Sequence, residues 1–563
     1  MTSTTKANSN ENIAAYIFFA ASLFLYTILY FDPSSSTEMV SYSLNIITIA
    51  VSAAVFLPAL IYCIRHSFGK FQIKILAAAF FVFCGSILFK FVRQTAAVFM
   101  IYGLFVTAVI AVYLLVTGKM DSKKAAILII SGGCVMIIGC GMAMPVSLNL
   151  HDYNFGTNIS EGYGHSDYIG YIAQNYSLPD NNISQKYHPP LHHILGAVYY
   201  WLTQFLGFSY MRFVESFQFV TCMYSCLSLI VWYKIFREMK LDGGALLIPL
   251  AILAFHPTGW IAGGCLNNDM LMWLLVAVCI LYLMKWYKNP TFKNILIIAV
   301  TLGLGMMTKI SAVMLAPAIA FVFLYKLVTE KNRRRVHIFQ YMSFGIISIP
   351  LGMWYPIRNL LKFSQSFAHV PRMGNDSIQY IGDHPFVSRL FSFPSSQFDS
   401  PFVQWNGVDF NFFVKVQKTA LFGENPWLTE ADPYSLLAGI LAILNYALVI
   451  ISVAAIIYVL IKTRQSKSFI PLAALGIYYL TLTVSHIFFA YQFPFQCTDD
   501  VRYVIANIGI GLFFTGKMIQ ISRQGYKSDY INQIKIPKIV PLAVLFSFFS
   551  VLIFILDAFY REF

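Results

Sequence analysis

Residues 191–208 read LHHILGAVYYWLTQFLGF, and the topology of the chain turns on whether this run crosses a membrane or lies along it. If it spans, the basic turn Lys234, Arg237 and Lys240 lands on the outer side and the later basic turns invert with it. If it lies in the interface, every basic loop from Lys119 onward falls on one side. Its histidines, tyrosines and tryptophan suit an amphipathic helix at a lipid boundary. We read it as a juxtamembrane helix.

The membrane itself follows from composition. Of 563 residues 58% are hydrophobic and only 11% charged, against roughly 25% charged in ordinary soluble domains. Apolar runs long enough to cross a bilayer recur along nearly the whole chain. Spans are expected near 13–31, 42–64, 75–91, 95–117 and 125–147. They continue near 212–236, 244–264, 269–285, 294–308, 310–327 and 337–356, then 436–461, 468–490, 503–520 and 539–557. The fold class is therefore an all-α polytopic membrane protein, a bundle of about 15 transmembrane helices with juxtamembrane helices. No alternating strands of β-barrel type are present.

The formal charge of +14 does not point to nucleic acid. The basic residues sit in short turns between apolar runs, around Lys119, Lys285, Lys331, Lys462 and Lys527. That is the pattern by which cytoplasmic loops are marked. Lys90 and Arg93 fall on the opposite side, so they run against it. The nine cysteines lie mostly in apolar runs, and no pair has metal-finger spacing.

This topology puts two large loops, 148–190 and 357–435, on one external side, together with the turns Asn267-Asn268-Asp269 and 491–502. We divide the chain into an N-terminal extension (1–124), a transmembrane core (125–356) that includes the loop 148–190, the external segment 357–435, and C-terminal helices (436–563). The first loop is acidic, with Asp152, Glu161, Asp167 and Asp180 against Lys186.

A polar loop after a membrane helix, acidic near its start, then a short helical stretch and "HPPL" (188–191) resembles the protein O-mannosyltransferase and lipid A aminoarabinose transferase group. LNNDMLMWL (266–274), LGLGMMTKISA (302–312) and DDVRYVIA (499–506) also resemble segments of that superfamily, the polytopic GT-C glycosyltransferases. The resemblance covers roughly 125–520. It implies a GT-C-like core and a polyprenyl-phosphate sugar donor. The acceptor would be an envelope glycan, a lipid or a protein hydroxyl, reached on the extracytoplasmic face of the plasma membrane. The family's adjacent Asp-Glu pair is missing: its place falls near Gly164-His165.

Inverting transfer from a lipid phosphate needs a carboxylate to take the acceptor proton and positive charge for the departing phosphate. Asp152 or Asp167 is the expected base, Asp152 ahead because it sits where the chain leaves the preceding span. His165 could be a base, a ligand or a surface residue. Arg502 leads the phosphate candidates, with Tyr503, Lys309, His188 and Arg358 beside it. Each has a plainer reading. Lys309 could snorkel at a helix end, and His188 with its prolines could form a rigid turn. Asn268 and Asp269 could cap a helix. Asp499, Asp500 and Arg502 could form a local ion pair.

No cofactor is required. A divalent ion held by external carboxylates is compatible with the loops, though no HExxH-type pattern is present. A transporter or lipid flippase is the rival reading, but it would place ionisable groups inside the spans. An acyltransferase would lean on His165, His188 or His486.

Overall fold

The computed structural model describes residues 96–144, 164–180, 184–205, 207–367, 369–371, 373–424, 435–524 and 539–562. The spans expected before residue 95, and Asp152 and Glu161, lie outside them. Residues 1–95 with 203–219 form one unit, and the rest of the chain forms a second. The cavity and the helices that build it belong to the second.

The described helices are α1 (Ala96–Val116), α2 (Ser122–Ala143), α3 (His165–Asn175), α4 (Leu191–Phe205), α5 (Tyr210–Glu238), α6 (Gly244–Ala254) and α7 (Pro257–Gly264). After these come α8 (Asp269–Lys288), α9 (Phe292–Thr308), α10 (Ala316–Thr329), α11 (Arg334–Phe363), α12 (Phe386–Phe391) and α13 (Phe412–Phe422). The chain closes with α14 (Ser435–Thr463), α15 (Phe469–Gln492), α16 (Ile505–Gln524) and α17 (Ile539–Glu562). Among the described residues ten helical segments are long and apolar enough to cross a membrane, and α6 with α7 forms an eleventh, bent by 42°. With α9, at 17 residues a shorter apolar helix, these match the spans expected between 95 and 557 one for one. The expected span at 310–327 begins as a 3-10 turn, Ile310–Leu315, before α10 takes over.

Pro257 and the side chain of His256, which accepts from Thr258 N, start α7 afresh and explain the bend: proline lacks the amide that would continue α6. Helices approach closely where glycines remove side chains. A Cβ on Gly264 of α7 would stand 3.2 Å from Gly141 Cα of α2, and one on Gly516 of α16 would stand 2.4 Å from Ala245 O of α6.

α4 runs 15 residues and is not among the helices long enough to span. α3 lies on it: Tyr168, Ile172, Ala173 and Ala197 form a small buried cluster, and Trp201 Nε1 donates to Ala173 O at 2.9 Å. Basic turns meet at one end: Lys288 pairs with Glu238 at 2.7 Å, and Gln520 donates to Lys240 O at 2.8 Å. Gln340 of α11 bonds Pro290 O at 3.1 Å, and Tyr287 reaches Lys467 O at 3.4 Å. The turns at 184–190, 265–269, 309–311, 364–373 and 493–504 gather elsewhere, around a single cavity.

Candidate active site

The cavity holds about 620 Å³. Its polar lining comes from His165, Tyr187, His188, Asp269, Lys309 and Arg502, and its apolar wall from Met314, Val370, Met373, Leu482, Phe489 and Phe493, among others.

The HPP turn positions its floor. Pro190 is the last residue before α4, and its carbonyl accepts from Ile194 N at 2.8 Å. This places the adjacent histidines on different sides. His192 Nε2 meets Leu266 O at 2.8 Å and so ties α4 to the turn before α8. His193 Nε2 meets His165 Nδ1 of α3 at 2.9 Å, buried, with the Tyr168 ring stacked on it at 4.0 Å. Only one proton fits in that imidazole–imidazole bond. Burial, and then the neighbouring His193, push His165 well below the usual histidine range; burial lowers His193 likewise and His192 to about 4. These rings are neutral near pH 7. A tyrosine relay completes the floor: Tyr168 OH lies 3.0 Å from Tyr355 OH, which donates to Lys186 O at 2.6 Å.

Two cations enter from the opposite wall. Lys309 Nζ is 2.5 Å from Asp269 Oδ1, both nearly inaccessible, and 4.8 Å from the centre of the Tyr503 ring. Lys309 therefore does not snorkel; burial lowers its pKa while Asp269 opposes that shift. The Arg502 guanidinium sits 5.3 Å from the same ring, gives one hydrogen bond to Cys497 O at 3.2 Å, and is 4.0 Å from Glu424. Its Nε is buried with no hydrogen-bond partner. The backbone of this turn is pinned on three sides. Trp273 donates to Arg502 O at 2.9 Å, Asp500 Oδ1 accepts from Arg502 N at 2.8 Å, and Thr419 Oγ1 of α13 accepts from Val501 N at 2.9 Å. Burial raises the Asp500 carboxyl to about 6, against the pull of Arg502.

The other sequence-predicted residues lie apart from the cavity. Asp167 is buried in an ion pair with Lys186 at 2.9 Å, and burial raises its pKa against that partner. Arg358 donates to Pro179 O at 2.6 Å and packs over Tyr355 and Phe363. Asp499 does not pair with Arg502: both of its carboxylate oxygens accept from the buried Arg389 Nη2, at 2.7 and 2.8 Å. Asn268 does not cap α8 with its side chain; it donates to Thr308 O at 2.8 Å, and Asn267 Oδ1 accepts from Asp269 N at 3.1 Å instead. Among the described residues no group of three or more His, Cys, Asp or Glu could hold a metal ion.

Sequence reasoning passed over Tyr355, Asn359 and Ser485, which line the cavity from the ends of α11 and α15. Polar residues towards the C-terminal end of an apolar span were the available signal. Glu424 and Arg389 lacked one: each is a single charge in its stretch of sequence and acquires its partner only in three dimensions.

Residues 188–354, under a third of the chain, match the family described as dolichyl-phosphate-mannose-protein mannosyltransferase. The match starts at the histidine of HPPL and includes three of the four segments on which the resemblance to membrane glycosyltransferases rests. No curated protein matches the chain. Among solved structures it is similar to ArnT from Cupriavidus metallidurans bound to undecaprenyl phosphate, at 12% identity and TM-score 0.43 over 77% of this chain and 76% of that one. It is also similar to the Archaeoglobus fulgidus oligosaccharyltransferase in the apo form, at 12% identity and TM-score 0.43 over 77% of this chain and 56% of that one. The oligosaccharyltransferase AglB from Archaeoglobus fulgidus, in complex with an inhibitory peptide and a dolichol-phosphate, gives 13% identity and TM-score 0.40 over 76% and 55%.

Proposed function

We propose that the protein is an integral membrane glycosyltransferase that moves a sugar from a polyprenyl-phosphate carrier to a hydroxyl of an envelope glycan, lipid or protein, on the face opposite its basic turns. One observation carries this: the cavity combines two cations, Lys309 and Arg502, with an apolar wall. That pairing suits an anionic headgroup on a long hydrocarbon.

The acceptor oxygen attacks C1 of the sugar as the bond from C1 to the phosphate oxygen breaks. Charge develops on the phosphate, where Arg502 offers its unpartnered Nε and Lys309 its ammonium, both already in place. His188 and Tyr503 supply further polar contacts at the same end. The acceptor proton passes to a carboxylate. Asp167 is committed to Lys186, so we assign the base to Asp152. His165, neutral and on the cavity lining, is a second group that could take that proton. We assign no cofactor to this scheme.

The test is transfer by purified protein in lipid, with a panel of radiolabelled polyprenyl-phosphate sugars and crude envelope acceptor. Asp152→Asn is expected to abolish transfer and stay folded. Asp167→Asn is expected to transfer normally per folded molecule and to melt at lower temperature, because it weakens a buried pair. If no donor is consumed and labelled lipid instead changes leaflet, the proposal fails in favour of transport.

A further inference from the structure

Residues 386–398 read FVSRLFSFPSSQF and comprise α12 and the turn that follows it. The only charge in the stretch, Arg389, is buried and faces inward: its guanidinium holds Asp499 and also donates to Ala490 O at 2.9 Å. The outward side carries four large apolar side chains and no charge, with Ser395 and Ser396 also exposed. Phe391 is 70% exposed, Val387 65%, and Phe393 and Phe398 each 51%.

This bare surface continues that of two spans. The Phe386 ring lies 6.0 Å from Phe488 and 5.1 Å from Tyr491, both on α15, and the Phe398 ring lies 6.4 Å from Tyr446 on α14. Phe488 and Tyr491 are themselves exposed, as are Leu436 and Ile443 of α14. On helices that cross a membrane such residues face acyl chains. A patch of large apolar side chains with no charge among them is an interaction surface rather than a solvated one, and aromatic residues concentrate where headgroups meet hydrocarbon.

We propose that segment 386–398 docks on the lipid bilayer, with Val387, Phe391, Phe393 and Phe398 seated at the boundary between headgroups and acyl chains. The inward side then has a definite consequence. Arg389 fastens this lipid-seated segment to Asp499, three residues before Arg502, so the turn carrying the candidate phosphate ligand is referenced to the membrane surface as well as to the helix bundle. The lipid contact rests on the membrane-spanning fold and holds whatever reaction the cavity performs.

The experiment places photoreactive benzoylphenylalanine at position 391, at 393 or, for comparison, at the exposed polar position 376 of the same loop. Full-length protein is reconstituted in phosphatidylcholine vesicles, irradiated and analysed by mass spectrometry. Lipid adducts are expected at 391 and 393 and not at 376. No adduct at either phenylalanine position, equal yields at all three, or adducts joining two copies of the chain would each overturn the proposal. The readout requires no catalytic turnover, so it stands or falls separately from the assigned reaction.

Discussion

Replacing Arg502 tests the assigned chemistry most directly, because the turn that carries it is held chiefly through its backbone. The guanidinium gives one hydrogen bond, 3.2 Å to Cys497 O, and stands at 4.0 Å from Glu424. The contacts that hold the turn, to Trp273, Asp500 and Thr419, go through backbone atoms of Val501 and Arg502 and survive the change. Arg502→Ala should therefore cost on the order of 2 kcal/mol for the charged hydrogen bond, rising towards about 3–5 kcal/mol to the extent that the buried Glu424 carboxylate is left without its cation. The kinetic cost is separate. Loss of one preorganised donor to developing charge is worth about 2.7–4 kcal/mol, or roughly 10²–10³ in kcat. Because charge on the phosphate grows as the bond breaks, kcat should fall more than KM rises. Arg502→Lys keeps the charge but loses the planar fork, and should fall between wild type and alanine. The assay is steady-state transfer from the labelled donor in lipid, with Tm measured on the same samples. A folded Arg502→Ala protein whose kcat stays within about threefold of wild type, well short of that loss, would refute the phosphate assignment.

Two further outcomes are expected. Lys309→Met strands the buried Asp269 carboxylate and should destabilise by about 3–5 kcal/mol; adding Asp269→Leu should recover most of the Tm but no transfer, and an active double variant would remove Lys309 from the mechanism. The histidine floor should make the protein labile in mild acid. His192, held at about 4 by burial against roughly 6.5 in an unfolded chain, binds its proton later than the unfolded state does. Its contribution is complete above the unfolded value and is lost as pH falls towards the folded one, about 3 kcal/mol over the interval. His165 and His193 act in the same direction, while Asp500, raised to about 6, opposes them. His192→Gln, which keeps a donor for Leu266 O, should flatten the fall in Tm between pH 7 and 5; an unchanged slope would refute this account.

The spans between 95 and 557, a 191–208 run too short to be one of them, and the gathering of polar turns were legible because each depends on pattern: apolar length, charge in turns, an amphipathic run. The site was legible where a motif carries its own geometry. Lys309, Asp269 and Arg502 stand at span ends, and one end of the bundle collects them. Pairing was not legible. Nothing in the order of residues says that Asp499 belongs to Arg389, 110 positions away, rather than to Arg502 three positions on. Asp167 reads as a candidate base until α3 folds over Lys186 and closes the pair.

The separation of the basic turns from the cavity has a consequence for genetics. The basic turns and the residues that line the cavity occupy opposite ends of the same helices, and on the positive-inside reading the former would set which way the chain threads. A collection of inactivating substitutions should therefore fall into two non-overlapping kinds. One, at Lys240, Lys288 or Lys331 and their neighbours, lowers the amount of protein that accumulates; the other, at Lys309 or Arg502, leaves normal amounts of an inert one. Immunoblotting of membranes would sort them before any substrate is known.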